Sequence, residues 1–560
     1  ISNEAIELIA EEMDISEVDV EQTVSFFHFL SRTPTGEYTV YLNDSVAAGF
    51  KGREEIARAL EREAGCKFGS TSDDGLIGLY DTADIGMNDQ EPAALINGVP
   101  FTNLDLDKVH NIVKQIRKKK DIKDLVTTFG DGNNSHELVK SMVNSNIRKK
   151  GPVLFAEHEE FSSLKKAVEI GRKKVIEEVK ESHIRGRGGG GFPAGLKWEF
   201  CSKEPNEDRF LICNADEGEP GTFKDRVLLT DYPKLLMEGM VIAAYAIGCK
   251  SGFIYLRHEY EYLKDYLNSI IEEMYDNNLL GKNILGVEGF NFDLRIQSGA
   301  GAYVCGEVSA LIESSEGKRG EPRNKPPNTV KFGYLGKPTV ANNVETLSSI
   351  PKIIEKGGAW YKQMGTAETS GTKLLAVAGD CRYPGVYEVE WGTTIREMLR
   401  MCGAERTLGV QAGGPSGECI SKEHFDRQIC YEDVSTGGAM TIIGKNRDIV
   451  REVALKYTEF FIDESCGSCI PCRTIPVLLK QKLEKILNRK GTFKDIEDML
   501  EWGRFMNANR CGLGQSAANP VVTSLKNFRD EYRQKIMTND DFVDTFDLSE
   551  ATRAAKELRY

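Results

Sequence analysis

No apolar run in this 560-residue chain is long enough to cross a membrane; the best, Met240–Gly248, is too short and reads as a buried helix. A basic surplus is also missing. Lys and Arg number 72 against 86 Asp and Glu, and the net charge of −14 excludes broad non-specific binding to nucleic acid, which needs a basic face. The opening Ile1-Ser-Asn-Glu4 has no basic start, apolar stretch or cleavage site, so no secretory signal and a cytoplasmic location are expected. The 13 cysteines are an odd number and mostly scattered singly, which argues against a disulfide framework and for a reducing compartment. No repeat of fixed period is found. Apolar residues at 40% and charged residues at 28% are those of an ordinary globular protein with room for several domains.

The exception to the scatter is Glu464-Ser-Cys-Gly-Ser-Cys-Ile-Pro-Cys-Arg473, where Cys466, Cys469 and Cys472 stand at two-residue spacings. A fourth thiol, Cys511, lies in Arg510-Cys-Gly-Leu-Gly514, beyond two helical segments. Four thiolates so placed suit an iron–sulfur cluster or a zinc ion. Pro471 near the start of the helical run Ile475–Leu487 sets such a centre at a helix N-terminus, whose dipole favours negative charge. A cluster would pass electrons; zinc is the alternative.

Read for periodicity, residues 1 to about 30 are helical. A strand at Tyr38–Leu42, a helix at Arg53–Glu63, a strand at Gly75–Tyr80, a hairpin at Ala94–Phe101 and a helix at Leu106–Lys118 follow. That order predicts a thioredoxin-like α/β domain over residues 1–120. Residues 121–151, with the turn signal Gly130–Asn134, read as a connector. A larger α/β region spans 152–370, a small β-rich domain 371–446, a helical region around the four thiols 447–545, and a tail 546–560.

Two glycine clusters mark the 152–370 region. In Arg185-Gly-Arg-Gly-Gly-Gly-Gly-Phe192 a formal dinucleotide fingerprint falls on Gly186, Gly188 and Gly191, but the preceding Lys174–Ser182 is helix-like rather than a strand. The loop still suits an anion, with backbone N–H groups free to close on it and Arg185 and Arg187 to supply charge. The second cluster, Gly299–Glu307, leads into Glu316–Pro327, where Lys318, Arg319, Arg323 and Lys325 form a stiff basic loop suited to a pyrophosphate. Between them lies the carboxylate-rich turn Asn214–Gly221.

Together with Asn342-Asn-Val-Glu-Thr346 and the cysteine motif, these stretches resemble the NADH-oxidising flavin subunit of respiratory complex I over about residues 150–540. Nearly the whole chain resembles the diaphorase subunits of soluble NAD-reducing hydrogenases, which fuse a thioredoxin-like domain ahead of the flavin subunit. The resemblance implies an FMN-binding α/β domain, a ubiquitin-like β-grasp domain and a helical bundle with one [4Fe-4S] cluster on Cys466, Cys469, Cys472 and Cys511. By position, Gly186, Gly188, Lys197, Asn214, Asp216, Glu217, Gly306, Glu307, Asn342, Asn343 and Thr346 surround FMN, with Arg187, Gly189 and Tyr303 also in the cofactor site. Phe192, Phe200, Glu219 and Lys325 face NAD. The small-subunit-like domain of such proteins holds a [2Fe-2S] cluster on four cysteines. Asn43, Ala48, Asp84 and Asn88 stand at those places here, and Cys66 is the domain's only thiol, so no cluster is expected in it. Val308 and Asn328 also depart from the family pattern near the flavin and the nucleotide.

The expected activity is hydride exchange between NAD(H) and FMN, with single electrons leaving through the cluster and no side chain acting as nucleophile. The expected partners are an iron–sulfur subunit and a hydrogenase. A formate dehydrogenase or an electron-bifurcating complex is the nearer alternative, and a zinc-stabilised nucleotide-binding scaffold the more distant one.

Overall fold

The computed structural model describes residues 1–129, 137–206, 208–536 and 553; the expected Gly130–Asn134 turn and, Arg553 apart, the 546–560 tail lie outside the described residues. Helices Asn3–Met13 and Glu17–Val24 begin where Ser2 and Ser16 accept backbone N–H groups from Ala5 and Asp19. The front domain follows as a five-stranded sheet. Strand Tyr38–Asn43 pairs in parallel with Ile77–Thr82 and antiparallel with Ala94–Ile96, which turns back tightly into Val99–Phe101. Its alternating residues Val40 and Leu42 share a core with Ile56 and Leu60 of helix Arg53–Ala64 and with Val109, Ile112 and Ile116 of helix Leu106–Ile116.

The connector is more structured than its composition predicts. Helix Ile122–Phe129 buries Ile122, Leu125 and Val126 in the front-domain core. Strand Ile147–Lys149 then runs parallel to Gly385–Glu390 and becomes the edge of a different sheet, more than two hundred residues further along the chain. A strand of three residues carries too little alternation to be read from sequence.

The 152–370 region is built on four parallel strands in the order Thr339–Asn343, Phe210–Ala215, Ser251–Leu256, Asp293–Ser298. Helix Pro233–Ile247 is buried along its whole length against helix Val344–Lys356, as its unbroken apolar run predicts. From Phe210–Ala215 the chain builds the sheet outward to one side and then returns to the other with Thr339–Asn343. The carboxyl ends of these two strands therefore form the crevice where open parallel sheets receive ligands. Asn214, Ala215, Asn342 and Asn343 sit at that crevice.

Strands Thr372–Gly379, Gly385–Glu390, Thr407–Ala412, Glu418–Ser421 and Ala439–Gly444, with the connector strand, make a six-stranded sheet covered by helix Ile395–Met401. Thr394 and Glu397 start that helix with a reciprocal capping box. This is the β-grasp-like domain. A π-helical turn, Ile449–Leu455, opens the bundle of Lys456–Asp463, Ile470–Leu487, Phe493–Trp502 and Asn519–Asn527. Helix Ile470–Leu487 starts earlier than expected and takes in Cys472.

Candidate functional site

A cleft of about 640 Å³ opens at the strand ends. One wall is the first glycine loop, closed on itself by the Gly186 N–H donating to the Phe192 carbonyl at 2.9 Å and by the Arg185↔Pro193 bridge. Gly191 is held at φ 59°, where a Cβ would lie 2.7 Å from the Tyr431 ring, so glycine is required twice over. Facing it are Asn214, Asp216, Glu217 and Glu219 of the carboxylate turn, Tyr303, Gly306 and Glu307 of the second glycine cluster, and Lys197, Lys325, Asn342 and Asn343. Gly188, Gly189 and Phe192 complete the set, and Phe192 stands 47% exposed, leaving its ring free.

Charge in the cleft is partly unmatched. The Lys197 ammonium donates to the Ala341 carbonyl at 2.9 Å and has no carboxylate partner among the described residues; burial, then nearby Lys325, pushes its pKa down to about 8. One carboxylate oxygen of Asp216 is buried without a partner, and burial raises that acid well above the usual range. Burial also raises Glu219, although it accepts from the Tyr303 hydroxyl at 2.5 Å and the Ser416 N–H at 2.9 Å. Glu307 is opposite in sense: burial opposes its charge, but Lys325 at 2.7 Å and the Ser309 and Ala310 N–H groups hold its pKa below the ordinary value. Glu217 caps helix Lys224–Asp231 through the Asp225 and Arg226 N–H groups; burial and the adjacent Asp225 push it up to about 7. An unmatched cation, glycine-lined backbone and strand-end amides make the cleft fit an anionic, planar cofactor such as FMN.

Four expected residues do not line the cleft. Arg187 is buried with its guanidinium donating to the Tyr361 hydroxyl at 2.7 Å and the Ser370 carbonyl at 2.8 Å, so its charge braces the loop from behind and is not offered to an anion. Arg185 is likewise turned to the Gly191 carbonyl and lies over the Tyr431 ring. Thr346 is buried and acts indirectly, its hydroxyl accepting the Arg187 N–H at 2.9 Å. Phe200 is half exposed on helix Ala194–Ser202, away from the lining. Of the basic loop, only Lys325 reaches the cleft: Arg323 and Lys318 pair with Glu313 and Glu316, and Arg319 donates to the Cys466 carbonyl. Sequence reading missed Lys224, Asp225 and Thr222, and also Gly413, Ser416 and Gly437 of the β-grasp-like domain and Gly512, Leu513 and Ser516 of the bundle. Small residues that contribute mainly backbone leave little signal.

Three of the four thiols stand at two helix starts, with Cys466 in the loop just ahead of the first. Cys469 is the N-cap of Ile470–Leu487, Cys472 lies in its first turn, and Cys511 is the N-cap of Gly512–Ser516. Cys466 and Cys472 are buried, Cys469 and Cys511 half-buried. Burial, with smaller contributions from Cys511, Cys466 and Cys469, pushes the Cys472 thiol up to about 11, so the set lies within electrostatic reach of Cys472. Among the described residues no three His, Cys, Asp or Glu side chains are set out as a metal site as they stand. The all-sulfur donor set at helix N-termini fits an iron–sulfur cluster and also zinc. Contacts tie this corner to the cleft: Glu464 accepts the Tyr303 N–H at 2.9 Å, and Glu321 accepts from Ser468 at 2.5 Å and Arg510 at 3.1 Å.

Residues 179–352 match the Nuo51 FMN-binding domain family, 452–535 the NADH-ubiquinone oxidoreductase-F iron-sulfur binding region, and 1–117 the thioredoxin-like [2Fe-2S] ferredoxin family. The last span contains one cysteine, Cys66. NAD-reducing hydrogenase HoxS subunit alpha of Cupriavidus necator is 47% identical, over 98% of this chain and 92% of that protein. An NADH-quinone oxidoreductase subunit of Aquifex aeolicus is 42% identical, over 67% of this chain and 89% of its own length. A crystal structure of NAD+-reducing [NiFe]-hydrogenase in the H2-reduced state superposes with a TM-score of 0.90 at 35% identity, over 99% of this chain and 94% of that one.

Proposed function

This chain belongs to the family of the NAD-reducing hydrogenase alpha subunit and its NADH-quinone oxidoreductase relatives, and from that premise we propose that it is the diaphorase subunit of an NAD-reducing hydrogenase. It exchanges hydride between NAD(H) and FMN in the cleft and passes electrons one at a time to a [4Fe-4S] cluster on Cys466, Cys469, Cys472 and Cys511. The observation that carries this reading is a shared wall. Gly512 and Leu513, which follow Cys511 directly, line the same cleft as Gly188, Asn214 and Asn343. Zinc at the thiols would leave that wall with no electrons to receive.

Bound FMN supplies the conversion between a two-electron and a one-electron carrier. The chain's own residues position and balance charge. Asn214, Asn342 and Asn343 present side-chain amides at the strand ends, and Lys197 supplies the unpaired cation for a phosphate. Asp216, whose pKa burial raises well above the usual carboxylate range, brings a buried carboxylate oxygen without a partner to the cleft. Phe192 offers a ring face at the cleft for the nicotinamide nucleotide, and Lys325 exchanges Glu307 for a nucleotide phosphate.

A hydrogenase partner, with an iron–sulfur subunit between, follows the relatives' names and is preferred to a formate dehydrogenase. Beside half-buried Cys469, Ile470 stands 65% exposed, an apolar contact for an electron acceptor. The front domain, in this reading, holds no cluster of its own. Among the described residues no helix is long and apolar enough to cross a membrane. The test is a spectrum and iron analysis of anaerobically purified protein. Flavin bands, iron–sulfur absorption and about four irons per chain are expected. Absence of both chromophores sinks the assignment, and about six irons overturns the cluster-free front domain.

A further inference from the structure

The expected cluster positions of the front domain converge, but on a polar network. The Asn88 amide donates to Asp84 at 2.7 Å, Ser45 donates to Asn88 at 2.6 Å, and Asn43 accepts the Ile85 N–H at 3.2 Å and donates to Glu91. Ala48 is fully buried beside them, its N–H donating to Ser45 at 3.1 Å. All are internal contacts of the domain except one. Asp84 also accepts the Gly221 N–H at 2.7 Å, reaching the carboxylate turn that lines the flavin cleft.

The same segment grips that turn at further points. The Asp84 carbonyl accepts from Arg257 at 2.6 Å, and Arg257 also donates to the Glu217 carbonyl. Asp89 pairs with Arg226 at 3.0 Å, both side chains fully buried. Gly86 packs so closely on Tyr260 that a Cβ would lie 2.1 Å from its hydroxyl, and that hydroxyl donates to Glu217 at 2.9 Å. Next to that turn on the same wall, the N–H groups of His28 and Phe29 donate to the carbonyls of Gly301 and Ala300 at 2.9 and 3.2 Å, in the second glycine cluster. One domain thus touches both loops that make up the wall facing the first glycine loop.

We propose that the front domain holds the flavin cleft in shape and that Asp84, at one of the expected cluster-ligand positions, is the positioning residue through which it sets the Asp216–Gly221 turn. Asp84 does not line the cleft and acts through Gly221. Gly221 is buried at φ 92°, and its N–H needs an acceptor that the turn itself does not supply. This inference rests on the flavin reading above.

The test uses the full chain. Asp84→Ala, compared with wild type and with the front-domain core truncation Val40→Ala, is assayed for flavin release by fluorescence, for flavin midpoint potential, for KM and kcat with NADH, and for iron. In Asp84→Ala, FMN should leave at least about ten-fold faster, the potential should move, and KM should rise while kcat per bound flavin stays within about two-fold. Val40→Ala should lower the unfolding temperature and leave flavin release within about two-fold of wild type. Wild-type release from Asp84→Ala, or equal loosening by Val40→Ala, overturns the proposal. If the alanine variant does not accumulate, Asp84→Asn, which keeps the shape but turns an amide donor toward an N–H, carries the test by the same readouts. Wild type that carries no flavin fails the underlying reading instead, and would be seen before any variant is made.

Discussion

Two corners of this molecule are laid out for a metal cluster and differ in what they leave unfinished. In the bundle, Cys469, Cys472 and Cys511 stand at helix starts with Cys466 just ahead of the first, and all four are free thiols. In the front domain, Asn88 donates to Asp84, Asp84 also accepts the Gly221 N–H, and Asn43 is held by the Ile85 N–H and Glu91. The same contrast recurs among charges: Lys197 faces the cleft without a carboxylate, whereas His158 is held between Glu238 at 2.6 Å and Glu355 at 3.3 Å. A site that waits for a ligand keeps donors or charges unsatisfied; a site that supports the fold closes its own network.

The sharpest way to break the contrast is Cys469→Ser. Iron should drop from about four atoms per chain to near none, and electron export should stop while FMN stays bound; iron analysis and flavin fluorescence check this. In the closed pocket, Asn43→Ala strands the Ile85 N–H and the Glu91 carboxyl and should cost about 2–3 kcal/mol in the front domain's unfolding transition. Iron content should not change there, and denaturant titration with metal analysis separates the two corners. For Lys197 the lever is pH. An anion prefers the charged lysine, so FMN affinity should be flat below the pKa of about 8 and fall as pH rises through it, by up to about ten-fold per unit. Lys197→Met should bind more weakly and lose that slope in fluorescence titrations. The smallest effect belongs to His158. Burial opposes its charge, but the hydrogen bonds to Glu238 and Glu355 outweigh that and raise its pKa. Its stabilisation is therefore complete below the unfolded value of about 6.5 and is lost as pH rises through the folded one. His158→Gln should lower stability by about 1 kcal/mol in mildly acidic buffer, with the gap closing at higher pH in thermal melts.

Much of this was legible in the residues. The Ala94–Phe101 hairpin, the apolar helix from Pro233 and the thiol spacings are local patterns, set by periodicity or by neighbours a few positions apart. What stayed hidden was long-range or made of backbone. Arg187 beside a glycine loop suggests charge for an anion, and only the fold shows it turned to Tyr361, 174 residues away. Asp84 meets Gly221 across 137 positions through a main-chain donor, which no side-chain pattern announces. Gly413, Gly437 and Gly512 reach the cleft for the same reason: they offer little but their backbones.

The strand Ile147–Lys149 has a consequence for how the front domain stays in place. The connector is fastened at one end by Ile122, Leu125 and Val126 and at the other by the β-grasp-like sheet. Docking of the front domain onto the flavin region is thereby an intramolecular event at high effective concentration, on the order of millimolar for a short tether. The interface is apolar as well as polar, with Val46 and Phe50 buried with Ile443, Ile449 and Val453, and Phe27 with Phe253 and Val304. On a tether pinned at both ends, Asp89–Arg226 and Asp84–Gly221 need only add direction to that packing.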